Sequence, residues 1–220
     1  MTPKIIHQVW VGPNPIPENE QLWIQGWKDH NPTWEHRLWT DKEVESEKLV
    51  NTYAYSTATS YSERSDVLRY ELIYKYGGLY LDTDFKCLRS LDALCLEDLD
   101  CFAPHVHKEG ACFKDIESSV LGGRAGHPLL EALVADLEQS SRDKGQHVVA
   151  RTGPGYFRRH LTKECGLYCL PSETFFPYHW IGKEHFNRMT IKELATIFPD
   201  SYGAHAWNCS WKGKKGSIPG

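Results

Sequence analysis

Asp82-Thr83-Asp84 closes the stretch YGGLYLDTDF, residues 76–85, and these two carboxylates are the side chains of this sequence best placed to do chemistry. A carboxylate pair one residue apart offers oxygen ligands to a hard divalent cation, which keeps further positions for water and phosphate. Leu79, Tyr80 and Leu81 ahead of it read as a buried strand. The carboxyl end of such a strand is where open α/β sheets place their ligands. The alternative is a strand end that simply emerges into water. The chain carries its own control, because Asp98-Leu99-Asp100 repeats the spacing inside an acidic turn. Spacing alone is therefore weak evidence, and context separates the two.

Three other groups could contribute. Asp66 and Arg69 lie three residues apart in a helical pattern and share a face. They read either as an ordinary surface ion pair or as part of a site. Trp10, at the end of the first apolar run, is either a core residue or a flat platform for a base. Near the C-terminus, His205, Trp207, Ser210 and Trp211 precede Lys212, Lys214 and Lys215. That mixture of metal ligands, phosphate ligands and aromatics suits a closing lid, and equally a solvated basic tail. Seven cysteines are scattered with no pair of CxxC motifs, so a zinc ribbon is not expected. Cys165 and Cys169 read as half-buried thiols.

The elements that must position these residues follow from periodicity. KIIHQVW reads as a first strand stopped by GPNPIP, and NEQLWIQGWKDH as a helix with Leu22, Trp23 and Trp27 on one face. WEHRLW reads as a second strand, with Asp41 capping a helix that runs to about Asn51. SERSDVLRYELIYKYGG is the clearest helix. Its apolar face is Val67, Leu68, Leu72, Ile73 and Tyr76, Ser62 or Ser65 caps it, and Gly77 takes the left-handed C-terminal position. Gly78 then turns the backbone straight into the strand ending at Asp82. Downstream, CFAPHV, SSVLGG, GLYCLP and the start of SYGAHAW read as strands, with PLLEALVADLEQ, GYFRRHLTKE and IKELATIF as helices. This alternation predicts an α/β protein whose mixed, mostly parallel sheet is flanked by helices.

With 220 residues and no composition break, one domain spanning 1–220 is expected. A net charge of −4 without any long Lys/Arg block argues against nucleic acid as the partner. No stretch of about 18 apolar residues marks a transmembrane segment, so a cytoplasmic protein, or one peripheral at a membrane, is expected.

Taken in order, PKIIHQVWVG, NPTWEHRLW and YSERSDVLRYELIYKYGGLYLDTDF resemble the DXD-containing sugar-transferase family, glycosyltransferase family 32. That group includes initiating α-1,6-mannosyltransferases, α-1,4-galactosyltransferases and capsular polysaccharide enzymes. The SDVLRY…YGGLYLDTD block is also similar to the core of clostridial glucosylating toxins. The likeness returns at GHP, TGP and HAWNCSW. It implies a single GT-A, Rossmann-like domain, with residues 205–220 as a mobile lid. It also implies a metal-dependent, retaining transfer of a hexose from a UDP- or GDP-sugar to a glycan or other hydroxyl acceptor, in polysaccharide biosynthesis, with Mn²⁺ or Mg²⁺. Residue by residue, Trp10 would stack on the donor base. Asp66 and Arg69 would hold the transferred sugar, and Asp82 would contact ribose and sugar hydroxyls. Asp84 would bind the metal together with Asp82 and His205, and Ser210 and Trp211 would contact the phosphates. Where many relatives carry an Asn before the GHP turn, this chain has Ser118, which would take the donor contact of that position. No carboxylate of these motifs is placed as a covalent nucleophile, so front-face attack is the expected route. The rival readings are a sugar- or nucleotide-binding protein without turnover and an Asp-x-Asp phosphatase.

Overall fold

The strand that carries the aspartates is central. A computed structural model of the protein describes residues 1–107, 115–208 and 218. In it β1 (Ile5–Val9) runs parallel to both β2 (Glu35–Trp39) and β3 (Gly78–Leu81). On its other edge β3 pairs antiparallel with β6 (Val120–Gly123). Beyond it come β5 (Cys101–Pro104), antiparallel to β6, and β7 (Tyr168–Leu170), parallel to β5. The six-stranded order is β2-β1-β3-β6-β5-β7, mixed and mostly parallel as expected. A separate two-stranded ribbon pairs β4 (Phe85–Cys87) antiparallel with β8 (Gly203–His205).

Side chains alternate across the sheet, as the two-residue repeat of a strand demands. Val9, Tyr80, Leu121 and Ala103 pack into one core cluster with Tyr70, Leu72, Leu133 and Phe157. Ile6, Leu79, Leu81, Val120 and Phe102 face the other way, into a cluster with Trp27, Phe85 and Phe175. The first cluster is built from α4 (Tyr61–Tyr76), α5 (Pro128–Arg142) and α7 (Pro154–Arg159); the second is built from α1 (Glu18–His30) and β4. Coverage on both faces explains why the β3 run is uninterruptedly apolar. The joint between α4 and β3 uses Gly77 at φ 67° and Gly78 at φ 99°, and a Cβ on Gly78 would lie 2.6 Å from the Ile5 carbonyl oxygen. Only glycine tolerates both demands.

Several boundaries differ from expectation for local reasons. The helix expected from Asp41 to about Asn51 stops at Glu45 as α2 (Asp41–Glu45), and a separate α3 (Thr52–Ser56) begins after Asn51. The Glu71 carboxylate of α4 accepts from Val50 N at 3.0 Å and Asn51 N at 2.7 Å, fixing those amides outside a helix. Thr40, not Asp41, caps α2 in a box with Glu43, and Asp41 instead accepts from Gly12 N at 2.7 Å. Ser60, rather than Ser62 or Ser65, caps α4. Gly77 has a positive φ but an extended ψ of −168°, so it is not a left-handed helical residue. On α1 Leu22 is exposed, and the buried stripe is Glu20, Ile24 and Trp27. GYFRRHLTKE is helical only through Arg159, after a short unanticipated α6 (Val148–Arg151). The last helices are α8 (Lys183–Phe186) and α9 (Ile191–Ile197). Among the described residues no helix is long and apolar enough to cross a membrane.

Candidate functional site

A cleft of about 420 Å³ opens beyond the carboxyl ends of β1 and β3. Trp10, Asp66, Arg69, Asp82, Asp84, Ser118 and His205 all line it. Ser210 and Trp211, and with them most of the expected lid, lie outside the described residues. His205 and Ala206 are buried in and beside β8, so a movable segment would begin after them.

Arg69 is the hub. Its Nη1 lies 3.0 Å from Asp66 Oδ1 and donates to Ser118 Oγ at 2.6 Å, while Nη2 donates to Asp82 Oδ1 at 2.9 Å. The guanidinium sits 4.6 Å from the centroid of the Tyr80 ring, whose hydroxyl donates to the same Asp82 oxygen at 2.7 Å. One planar cation with a fork of donors thereby orients two carboxylates and a hydroxyl at once. The Arg69 side chain is only 5% exposed, so Asp66–Arg69 is a buried bridge and not a surface pair. The second Asp66 oxygen accepts from Thr152 Oγ1 at 3.1 Å, and Gly153 comes so close that a Cβ there would lie 3.3 Å from it. This gives the TGP stretch its place in the site. Burial pushes the Asp66 carboxyl up to about 7, with Arg69 opposing and Asp82 adding to the rise.

The second group is held by the ribbon. The register of β4 against β8 sets Phe85 opposite His205, whose ring stacks on Phe85 with centroids 4.4 Å apart and planes 2° apart. The Trp27 indole N–H donates to the Phe85 carbonyl at 2.9 Å, and Ala206 N donates to the Asp84 carbonyl at 2.8 Å. So fixed, His205 Nε2 lies 3.0 Å from Asp84 Oδ1, and Asn208 N donates to Asp84 Oδ2 at 2.8 Å. Burial works against charge on Asp84, but His205 and the Asn208 amide outweigh it and hold the carboxyl below its usual range. His205 is raised in turn, Asp84 prevailing over burial. Ligand atoms of Asp82, Asp84 and His205 all lie within 4.8 Å of one another. Two carboxylates and an imidazole fit a divalent cation of the Mg²⁺–Mn²⁺ kind and leave positions for phosphate oxygens. The control pair behaves differently: Asp98 and Asp100 are exposed, and Asp100 makes only loose pairs with Arg124 at 3.5 Å and the N-terminal amine at 3.6 Å.

Trp10 is partly buried, and its indole donates to the Asn14 carbonyl at 2.8 Å. Glu20 was not anticipated. Its carboxylate accepts from Asn208 Nδ2 at 2.8 Å and Thr83 Oγ1 at 3.3 Å, joining α1 to both sides of the acidic pair. A Glu heading an inward i, i+4, i+7 stripe with Ile24 and Trp27 was the available signal. Thr152, Tyr80 and Glu117 also line or support the cavity, and only their folded positions reveal them.

Two family profiles cover most of the chain. One, described as a glycosyltransferase sugar-binding region containing the DXD motif, matches residues 17–100; the other, an alpha 1,4-glycosyltransferase conserved region, matches residues 123–219. The chain belongs to the DXD-containing glycosyltransferase family. The chain is similar in sequence to inositol phosphoceramide mannosyltransferase 3 of Schizosaccharomyces pombe, 37% identical over 61% of this chain and 37% of that protein. Inositol phosphoceramide mannosyltransferase 1 of the same yeast is 32% identical over 98% of the chain and 64% of its own length. Lactosylceramide 4-alpha-galactosyltransferase of Rattus norvegicus is 28% identical over 66% of the chain and 40% of its own length. The chain thus spans less than two thirds of each of these relatives. Among solved structures, the PaToxG glycosyltransferase superposes with TM-score 0.60 over 90% of this chain and 79% of that one, at 14% identity. A glycosyltransferase involved in glycosylation of the major capsid of PBCV-1 gives 0.50 over 94% and 95%, at 12% identity. The fold is that of the GT-A glycosyltransferases.

Proposed function

We propose that the protein transfers a hexose from a UDP- or GDP-sugar to a hydroxyl of a glycan acceptor, retaining anomeric configuration. The observation that carries this reading is the contact of two devices in one cleft: Asp82 belongs both to the Arg69-centred bridge and to the Asp84–His205 group. A donor whose sugar lies on the first and whose diphosphate lies at the second would span the cleft. Asp66, Arg69 and Asp82 would hold the sugar and Trp10 would stack on the base. Ser118, at the position where many relatives carry an Asn, would hold Arg69 and offer its hydroxyl to the donor. A cation held by Asp84, Asp82 and His205, Mn²⁺ better than Mg²⁺ given the imidazole, would neutralise the charge developing on the departing diphosphate. The chain's own residues orient the sugar and exclude water, and the acceptor attacks from the front face.

The segment beyond Asn208 is proposed to close on the phosphates through Ser210 and Trp211. The named relatives act on inositol phosphoceramide and lactosylceramide, which makes a glycolipid headgroup the acceptor class to test first, ahead of a polysaccharide. Such an acceptor places the enzyme at a membrane face rather than free in the cytoplasm.

The test is a panel of nucleoside diphosphate sugars with Mn²⁺, with and without chelator. Metal-dependent release of nucleoside diphosphate is expected for one or two donors. Binding of donors without release would identify the non-turnover protein, and phosphate release from monoesters would identify the phosphatase. Either outcome overturns the reading.

A further inference from the structure

Five carboxylates line the cleft, and four are committed: Glu20 to Asn208 and Thr83, Asp66 to Arg69 and Thr152, Asp82 to Arg69 and Tyr80, Asp84 to His205 and Asn208. Glu117 is the fifth. It lies in the turn before β6, next to Ser118, with a side chain 27% exposed. Its hydrogen bond among the described residues is a long one, from Arg158 Nη1 to Oε1 at 3.3 Å, and the same nitrogen is shared with the Ile116 carbonyl at 3.3 Å. It lines the same cleft as Arg69 and His205, and its neighbour Ser118 accepts from Arg69 Nη1 at 2.6 Å. A donor lying along the cleft as proposed above would bring the bond between its sugar and its diphosphate into the space that this carboxylate lines.

We propose that Glu117 is a catalytic residue that stabilises the positive charge developing on the sugar carbon as that bond breaks. This rests on the transferase reading above. The sugar passes through an oxocarbenium-like state, and a poorly solvated carboxylate acts on such a charge far more strongly than one in water. Burial, opposed by Arg158, pushes the Glu117 carboxyl up, which marks that poor solvation. No covalent bond to Glu117 is required. The carbon–oxygen bond breaks with its electron pair going to the diphosphate. The acceptor oxygen bonds to the same carbon, and the acceptor proton leaves on the diphosphate.

Donor hydrolysis, with water as acceptor, tests the role without knowledge of the natural acceptor. Glu117→Gln is expected to fold and to bind nucleoside diphosphate as the wild type does, yet to hydrolyse donor at least about 100-fold more slowly. Arg158→Gln removes the ion pair but not the carboxylate, and should stay within about tenfold of wild type, the lower end of what losing an orienting partner costs. Equal losses of activity and melting temperature in the two variants would show a structural tie and overturn the proposal. So would a Glu117→Gln rate within about threefold of wild type, where no appreciable transition-state contact has been lost. If the glutamine variant does not fold, Glu117→Asp keeps the charge but withdraws it from the bond. That variant should lose at least about tenfold, and a full rate overturns the assignment. A wild type that hydrolyses no donor sinks the transferase reading itself; a wild type and a Glu117→Gln variant of equal activity sink only this inference.

Discussion

Arg69 ties Asp66, Ser118 and Asp82 together through one buried guanidinium, and this changes what its removal should do. From the sequence, Asp66–Arg69 reads either as an ordinary surface ion pair, whose loss costs under about 1 kcal/mol, or as part of a site. In the fold, Arg69→Ala strands two carboxylates in a water-poor cleft, so urea denaturation should show a loss of about 3 kcal/mol. Arg69→Lys keeps a charge but not the fork, and should lose most donor kcat/KM while recovering part of that stability. Asp66 offers a pH test. Its carboxyl, near 7 in the fold, takes up a proton there well before it would in the unfolded chain, whose reference value is 3.8. The native state is therefore the better proton binder between those values, and Asp66 contributes stability that is fully present at low pH and lost as pH rises to about 7. The stability difference between wild type and Asp66→Asn should shift toward wild type as pH falls, by up to about 1.4 kcal/mol per unit. A flat difference would contradict the assignment. Asp84→Asn should weaken Mn²⁺ binding, followed by calorimetry, at least about 100-fold, beyond what an outer partner of a ligand is worth. Asp98→Asn should leave that binding unchanged.

At the scale of elements, the joint from α4 through Gly77 and Gly78 into β3 aims the aspartates, and it is intolerant of side chains. Gly78→Ala meets both a φ of 99° and the Ile5 carbonyl, and should cost at least about 2 kcal/mol in thermal or urea unfolding. This joint was legible in the sequence because it is local: a helical face, two glycines, an apolar run and a carboxylate follow one another within 25 residues. The order of strands and helices was legible for the same reason. What escaped depends on partners distant in the chain. Nothing around Val50 announces that Glu71 will take its amide and end a helix. Ser60 wins the cap over Ser62 because Glu63 is held by Thr59 and by Arg151, 88 residues on. The resemblance to a known family placed His205 among the ligands, but the reason it arrives there, stacking on Phe85 through the β4–β8 register, belongs to the fold alone.

For the whole molecule, the sheet contains imidazoles that must stay neutral. His7 is fully buried on β1; its Nδ1 accepts from Trp39 Nε1 at 3.0 Å and its Nε2 donates to the Gly77 carbonyl at 2.9 Å. A second proton on Nδ1 would set donor against donor, and burial lowers His7 to about 4. His36 is likewise lowered to about 4 by burial. Both depressed values mean that the unfolded chain binds the protons first. Their contribution to stability is intact above about 6.5 and lost as pH falls toward 4, at up to about 1.4 kcal/mol per unit for each. Asp66 works in the opposite sense over the same range, so the histidine contribution is read by difference: from pH 7 down to 4.5 the melting temperature of the wild type should fall relative to that of His7→Gln.

The meeting of Asp84 with His205, 121 residues apart along the chain, also has a meaning for how the protein comes into being. A growing chain that has made β3 already displays both aspartates, yet it has no clasp until nearly the last strand is in place. Cation affinity should therefore report the arrival of β8: tight only once that strand has zipped onto β4, and loose in any fragment ending before residue 203. A cation seated there would act as a reversible rivet across that long loop. At 100 times its dissociation constant it would add about 2.7 kcal/mol to the stability of the native state.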